Sequence, residues 1–433
     1  MEQRKIQTKD LRGPALYFSL PILAWALYDA ANTIFSSNIN TIFFPLYLKE
    51  VIGSNEVQDQ IASTLISYSN ALASFLLVLF SPLFGVLMDR TGRKKKYIII
   101  FTIITVISTV LMGVFGGITF QDSIIGIPMS LFIVILLFVF AKFTYHSSLV
   151  FYDAMISDLG TKEQLPLISG FGVAVGYMGT LIGLLVYIFV GDDNFHQSFI
   201  PTGLLFLLLS LPLFFIIKDT PKQTAEKQSF LSGYKEIYET FKQAKSYRNI
   251  FTFMIAYFFL NDAVATTIAM MAVYAQAIVG FSTGKFIVLY LVSTLSSIIG
   301  SFIFGYIAKR IGAYQSIRIV GYLLVAALII ATAAWNELMF WIAGSMFGIA
   351  LGSMWVTSRT YIVEITPEEK RGQFFGLFAF SGKVSSIVGP LLYGSITLIF
   401  ADLGDTASRM ALGSLIILTI IGLIVHGKVQ TDK

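Results

Sequence analysis

The chain has 433 residues, 56% of them hydrophobic and only 13% charged, with a mean hydropathy of +0.77. A soluble domain carries about a quarter charged residues, so this is the composition of an integral membrane protein. The absence of cysteine excludes a disulfide scaffold, a thiol nucleophile and thiolate metal sites. The net charge of +5 follows from a bias in the loops and not from a nucleic-acid surface.

Twelve apolar runs follow one another, and a bilayer core needs roughly 20 residues from each. The first six are Ala15–Leu48, Ile61–Met88, Tyr97–Gly117, Ile127–Ile156, Leu165–Val190 and Ile200–Ile217. The second six are Ile250–Val279, Phe286–Ile311, Ile317–Ala334, Met339–Val363, Phe374–Phe400 and Ala411–Val425. The first and fourth are long and must tilt, kink or project beyond the membrane. Between the sets lies the polar interval Lys218–Arg248. There Phe230, Tyr234, Ile237, Tyr238 and Phe241 keep helical spacing among lysines and glutamates, which predicts an amphipathic helix on the membrane face. The expected fold is therefore all-α, with six-helix bundles at 1–217 and 250–433 joined by a linker at 218–249.

An even number of spans puts both termini on one side. Assigning loops alternately gives that side twenty-four bases against three (Lys49, Lys285 and Arg409) on the other. The positive-inside rule makes it the cytoplasm, so both termini are expected to be cytoplasmic.

The most basic short loop, Gly85–Lys96, reads GVLMDRTGRKKK. It is expected to be a tight turn with a gate made of Gly85, Asp89, Arg90, Gly92 and Arg93, the arginines pairing with an acid such as Asp158. Gly305–Ala313 reads GYIAKRIGA and repeats the glycine, basic pair and glycine at the same offsets, with Lys309 where Asp89 stands. Two more stations repeat. Asp29-Ala-Ala-Asn-Thr-Ile in the first run matches Asp262-Ala-Val-Ala-Thr-Thr-Ile in the seventh. Asp158, Gly170, Gly176 and Gly179 line up with Glu364, Gly376, Gly382 and Ser385. Two parallel halves of one design enclose a site near the midplane.

Ionisable groups within spans are costly and mark function. Asp29, Asn32, Asn38, Asn261, Asp262 and Lys383 are the expected solute contacts. Asp29 and Asp262, with the fourth-run stripe Lys142, His146 and Asp153 at spacings of four and seven, are expected to carry protons. Interhelical hydrogen bonding without solute contact is the alternative for the acids and asparagines. Arg359 and Glu364 are expected near the gate.

The loop G-x-x-x-D-R-x-G-R resembles the signature of the major facilitator superfamily. WALYDAANTIF at Trp25–Phe35, LNDAVATTI at Leu260–Ile268, Ser358-Arg359 and the stretches TPEEKRGQFFGLFAFSGK and GPLLYG resemble its vacuole-effluxer, autophagy-related branch. The resemblance implies the twelve-helix rocker-switch fold and an export role, and some eukaryotic members are associated with amino-acid efflux.

The reading is a monomeric secondary transporter of the bacterial cell membrane that moves a small polar solute by alternating access. Protons are the expected coupling ion, and sodium is the other candidate. A cation-coupled sugar symporter and a lipid or glycolipid translocase are its rivals. No HExxH, P-loop or thiol is present, so no catalytic residue, metal or cofactor is expected.

Overall fold

The computed structural model describes residues 14–53, 55–120, 122–124, 127–160, 164–219, 232–367 and 371–429. The first span is a composite. Leu20–Phe35 is α-helical, Ser36–Phe43 is π-helical and Phe44–Ile52 returns to α, in pieces of 16, 8 and 9 residues. The long first run thus resolves by changing helix type within the span. In the widened segment Thr41 Oγ1 donates to the carbonyl of Ser36, five residues back, at 3.2 Å.

The second to sixth helices are Glu56–Thr91, Lys94–Gly116, Met129–Met155, Leu165–Val190 and Phe199–Ile216. The linker helix is Ser232–Ser246. The seventh to twelfth are Arg248–Val279, Thr283–Ile311, Ala313–Ala333, Glu337–Ile365, Arg371–Ile399 and Asp405–His426. Eleven of these described helices are long and apolar enough to cross a membrane without interruption. Large apolar side chains such as Phe189, Phe215 and Phe302 are exposed, as expected of helices that are apolar on every side and meet lipid. A two-residue antiparallel pairing, Ser123–Ile124 with Ile127–Pro128, precedes the fourth helix.

The repeated basic loops differ from expectation in length. The second helix runs to Thr91, so Gly85–Arg90 is helical and not a turn. The chain reverses over Gly92 and Arg93 alone. Gly92 has φ +63 and its N–H closes on the Met88 carbonyl at 2.8 Å. Gly312, at the matching place after the eighth helix, has φ +85. A side chain would be strained at either position, and such glycines end helices through the carbonyls left over in the last turn.

By its internal contacts the chain forms two units, Met1–Tyr47 with Leu79–Tyr234, and Leu48–Val78 with Lys235–Lys433. In the first unit, the first helix packs on the fifth and sixth, and the third on the fourth and sixth. In the second unit, the seventh packs on the eleventh and twelfth, and the tenth on the eighth and ninth. The second helix changes company at Val78, and its amino-terminal half belongs with the seventh to twelfth helices.

Candidate functional site

In the first unit the site is built on the first helix. The fifth helix meets it with a glycine stripe, Gly172, Gly176, Gly179 and Gly183, at spacings of four, three and four. A side chain at Gly172 would strike Trp25, and one at Gly179 would strike the backbone of Ala30. A Cβ at Gly176 would lie 2.9 Å from Asp29 Oδ2, and one at Gly183 would lie 3.0 Å from Asn38 Oδ1. Small residues let two backbones approach where lipid supplies no hydrophobic drive for association. Here they seat Asp29 and Asn38 in notches instead of against lipid.

Asp29 is half-buried and shares its surroundings with Tyr152 and Asp153 of the fourth helix. The Tyr152 ring stacks on Trp25 at 4.8 Å between centroids, and its hydroxyl donates to the Trp25 carbonyl at 3.1 Å. Tyr145 donates to the Asn32 carbonyl at 3.2 Å. Aromatic rings thus lock the first helix to the fourth around the carboxylate. The three residues of the fourth-helix stripe are graded in exposure: Lys142 and His146 are half-buried and Asp153 is exposed. Lys142 Nζ stands 6.0 Å from the Phe138 ring centre, and the His146 ring 4.9 Å from that of Tyr145.

The two asparagines of the first helix have opposite surroundings. Asn38 is fully buried and bonded, its amide donating to the Gly183 carbonyl at 2.8 Å and to Thr202 Oγ1 at 3.1 Å. Asn32 is also buried, but neither its amide nitrogen nor its oxygen has a hydrogen-bond partner among the described residues. A buried polar group left this way costs about 1–3 kcal/mol.

In the second unit, the seventh and eleventh helices repeat the arrangement in a different register. Asp262 is fully buried. Its Oδ1 accepts the backbone N–H of Gly389 at 2.8 Å, and the Thr266 hydroxyl lies beside the carboxylate. A Cβ at Gly389 would sit 2.5 Å from Asp262 Oδ1 and collide with Thr266, so only glycine admits the carboxylate. Pro390 follows immediately and removes one rung of that helix's hydrogen-bond ladder. Asn261 donates to the Gly382 carbonyl at 3.0 Å and to Ser385 Oγ at 2.9 Å, and accepts from Tyr257 at 3.2 Å. Lys383, on the same helix, is half-buried.

The expected gate is only partly described. The side chains of Gly85, Asp89 and Arg90 lie outside the described residues. Asp158 pairs with Lys94 at 2.8 Å, and Lys94 also donates to the Ala154 carbonyl at 2.8 Å; of the two arginines expected to meet Asp158, the Arg90 side chain lies outside the described residues. The acid found at the start of the third helix is Asp219. It accepts the N–H groups of Lys95 at 2.7 Å and Lys96 at 3.1 Å, at the start of the third helix, where a negative charge is favoured. Arg359 and Glu364 are both exposed, and no ion pair joins them among the described residues.

Sequence reasoning missed a polar seam inside the second unit. Gln60 and Ser408 exchange two hydrogen bonds, at 2.9 and 3.1 Å. Thr64 meets Thr397 at 2.8 Å, Tyr68 meets Ser395 at 3.1 Å, and Ser67 donates to Met270 Sδ at 3.3 Å. The signal was present: positions 60, 64, 67 and 68 recur at helical spacing on one face of an otherwise apolar helix.

A family model described as vacuole effluxer Atg22 like matches residues 21–433. The MFS-type transporter YxiO of Bacillus subtilis is 27% identical over 418 residues, 93% of each chain. Autophagy-related protein 22 of Kluyveromyces lactis is 25% identical over 273 residues, 55% of each chain. Among solved structures, a mutant of the nucleoside transporter NupG superposes with a TM-score of 0.74 at 12% identity, covering 95% of this chain and all of its own. An inward-facing bacterial homologue of the lysosomal transporter Spinster superposes with a TM-score of 0.67 at 15% identity, covering 96% and 97%. At those identities the structural likeness is one of fold.

Proposed function

Because this chain belongs to the vacuole effluxer Atg22-like family and is a transporter of the major facilitator type, we propose that it exports a small polar solute, with amino acids as the first class to test, in exchange for protons. The observation that carries this reading is the pair of acids, Asp29 and Asp262. They occupy corresponding positions of the sequence repeat, and each lies opposite a glycine of its packing partner, Gly176 for Asp29 and Gly389 for Asp262. An acid inside a span costs about 2.5–3.5 kcal/mol on insertion scales, a cost that architecture alone does not require.

The surroundings suggest a division of labour. Asp29, with Tyr152, Asp153 and His146 on the neighbouring helix, has groups that can pass a proton on. Asp262 is fully buried, with one oxygen held by the Gly389 N–H, so the ligand that best suits it is a proton. Asn32, whose amide has no hydrogen-bond partner among the described residues, is the solute contact best supported on the first helix. The seam from Gln60 to Tyr68, at the end of the second helix remote from its basic loop, is suited to act as the outer latch. Interhelical hydrogen bonds in membranes are worth about 0.6 kcal/mol each. Several together match the few kcal/mol that separate interconverting conformers, and a latch of that strength can open in every cycle.

The test is transport in proteoliposomes given a radiolabelled amino-acid mixture on the outside, with an imposed pH gradient. Uptake driven by the gradient, and lost in both Asp29→Asn and Asp262→Asn while the variants stay monodisperse, supports the reading. Gradient-driven flux at wild-type rates in the two variants would remove the acids from the mechanism.

A further inference from the structure

A second feature lies away from the acids, where the third and sixth helices end beside the basic loop. Lys95, Lys96, Ile99, Ile100, Lys218 and Asp219 line an open cleft of about 470 Å³. Asp219 is already engaged, since both its oxygens hold backbone N–H groups of the third helix. The three lysines make no ion pair among the described residues. The mouth of the cleft therefore carries an excess of positive charge. Its floor is aliphatic. Ile99 and Ile100 lie about one turn further along a helix that crosses the membrane, and Ile100 is 41% exposed.

Positive charge at the mouth with hydrocarbon one turn below is the profile of a phospholipid at the interface, not of a soluble anion. We infer that this cleft binds one anionic phospholipid, its phosphate held by Lys95, Lys96 and Lys218 and an acyl chain laid along Ile99 and Ile100. Lysine stems extend over apolar surface while their ammonium groups stay at headgroup level. Basic pockets at the cytoplasmic ends of spans suit anionic headgroups, and the charge bias of the loops puts this cleft on that side. The lysines that give the chain its orientation would then also anchor the inner end of the third helix to a lipid.

The experiment is native mass spectrometry on the full-length protein with phosphatidylglycerol, with phosphatidylcholine of identical chains, and with inorganic phosphate as competitor. Phosphatidylglycerol should be retained over phosphatidylcholine. Each lysine near a charged membrane surface is worth about a fivefold change in affinity. The Lys95→Gln/Lys218→Gln variant should therefore bind phosphatidylglycerol about 25-fold more weakly, whereas Lys309→Gln, which removes a base elsewhere, should not. Ile100→Ser should weaken lipid binding, and excess phosphate should not displace the lipid. Should the double variant express poorly, Lys218→Gln alone is read in its place. Equal retention of the two lipids, or unchanged affinity in the lysine variant, overturns the site. Displacement by inorganic phosphate overturns the lipid assignment and leaves a free-anion site.

Discussion

Asn32 and Asn38 are the same residue type, six positions apart on one helix, yet they predict opposite phenotypes. Asn38→Ala removes the side-chain amide that donates to the Gly183 carbonyl and to Thr202 Oγ1. It should destabilise the protein by about 1–3 kcal/mol, seen as a lower melting temperature, with little change in KM. Asn32→Ala removes an amide that has no hydrogen-bond partner among the described residues, so stability should hold or rise while solute affinity falls. If both variants lose stability alike, Asn32 is not a solute contact. Gly389 gives a third prediction at this scale. Gly389→Ala forces a methyl group into Thr266 and Asp262, and overpacking of this kind costs about 1–3 kcal/mol. A loss of transport with an unaltered melting curve would contradict the close packing seen there.

Two helices carry the argument at the level of elements. The fifth presents its glycine stripe to the first, so Gly179→Leu should separate them and lower the yield of folded protein more than the same change at Gly376, which has open space beside it. The second helix is divided between companions, and the Gln60–Ser408 exchange is the end of its seam. A double-mutant cycle on Gln60→Ala and Ser408→Ala should return a coupling of about 0.6–1.7 kcal/mol, and each single change should raise reactivity at a reporter cysteine placed along that seam. Strict additivity would mean the two hydrogen bonds do not act as a pair. The π-helical Ser36–Phe43 belongs to this scale too. Such segments recur at functional sites, and this one carries Asn38 into its notch.

For the whole molecule, the proposed latch predicts that the seam opens during each transport cycle. The chain contains no cysteine, so engineered thiols report without background. Gln60→Cys with Ser408→Cys should cross-link on oxidation and arrest transport, and reductant should restore it. Full transport by the cross-linked protein would show that this end of the second helix does not move against the twelfth during the cycle. Cysteines placed at residues 5 and 431 should be labelled only from the cytoplasmic side of intact cells, as the distribution of bases demands.

Composition, run length and charge were enough for the membrane, the helices and the duplicated stations, because each is set by residues close together in the chain. Twenty apolar residues must cross a bilayer whatever their neighbours are, and a glycine seven residues after another ends both the second and the eighth helix. Spacing also brought Asp29 and Asp262 forward, since a carboxylate amid leucines is conspicuous on any helix. Which polar group meets which was not legible. Among the described residues Lys94 reaches Asp158, Asn38 is bonded and Asn32 is not, and half of the second helix packs with the later part of the chain. Helical periodicity says which side chains share a face. The partner opposite that face is decided by helices a hundred or more residues away, and only their packing in three dimensions selects it.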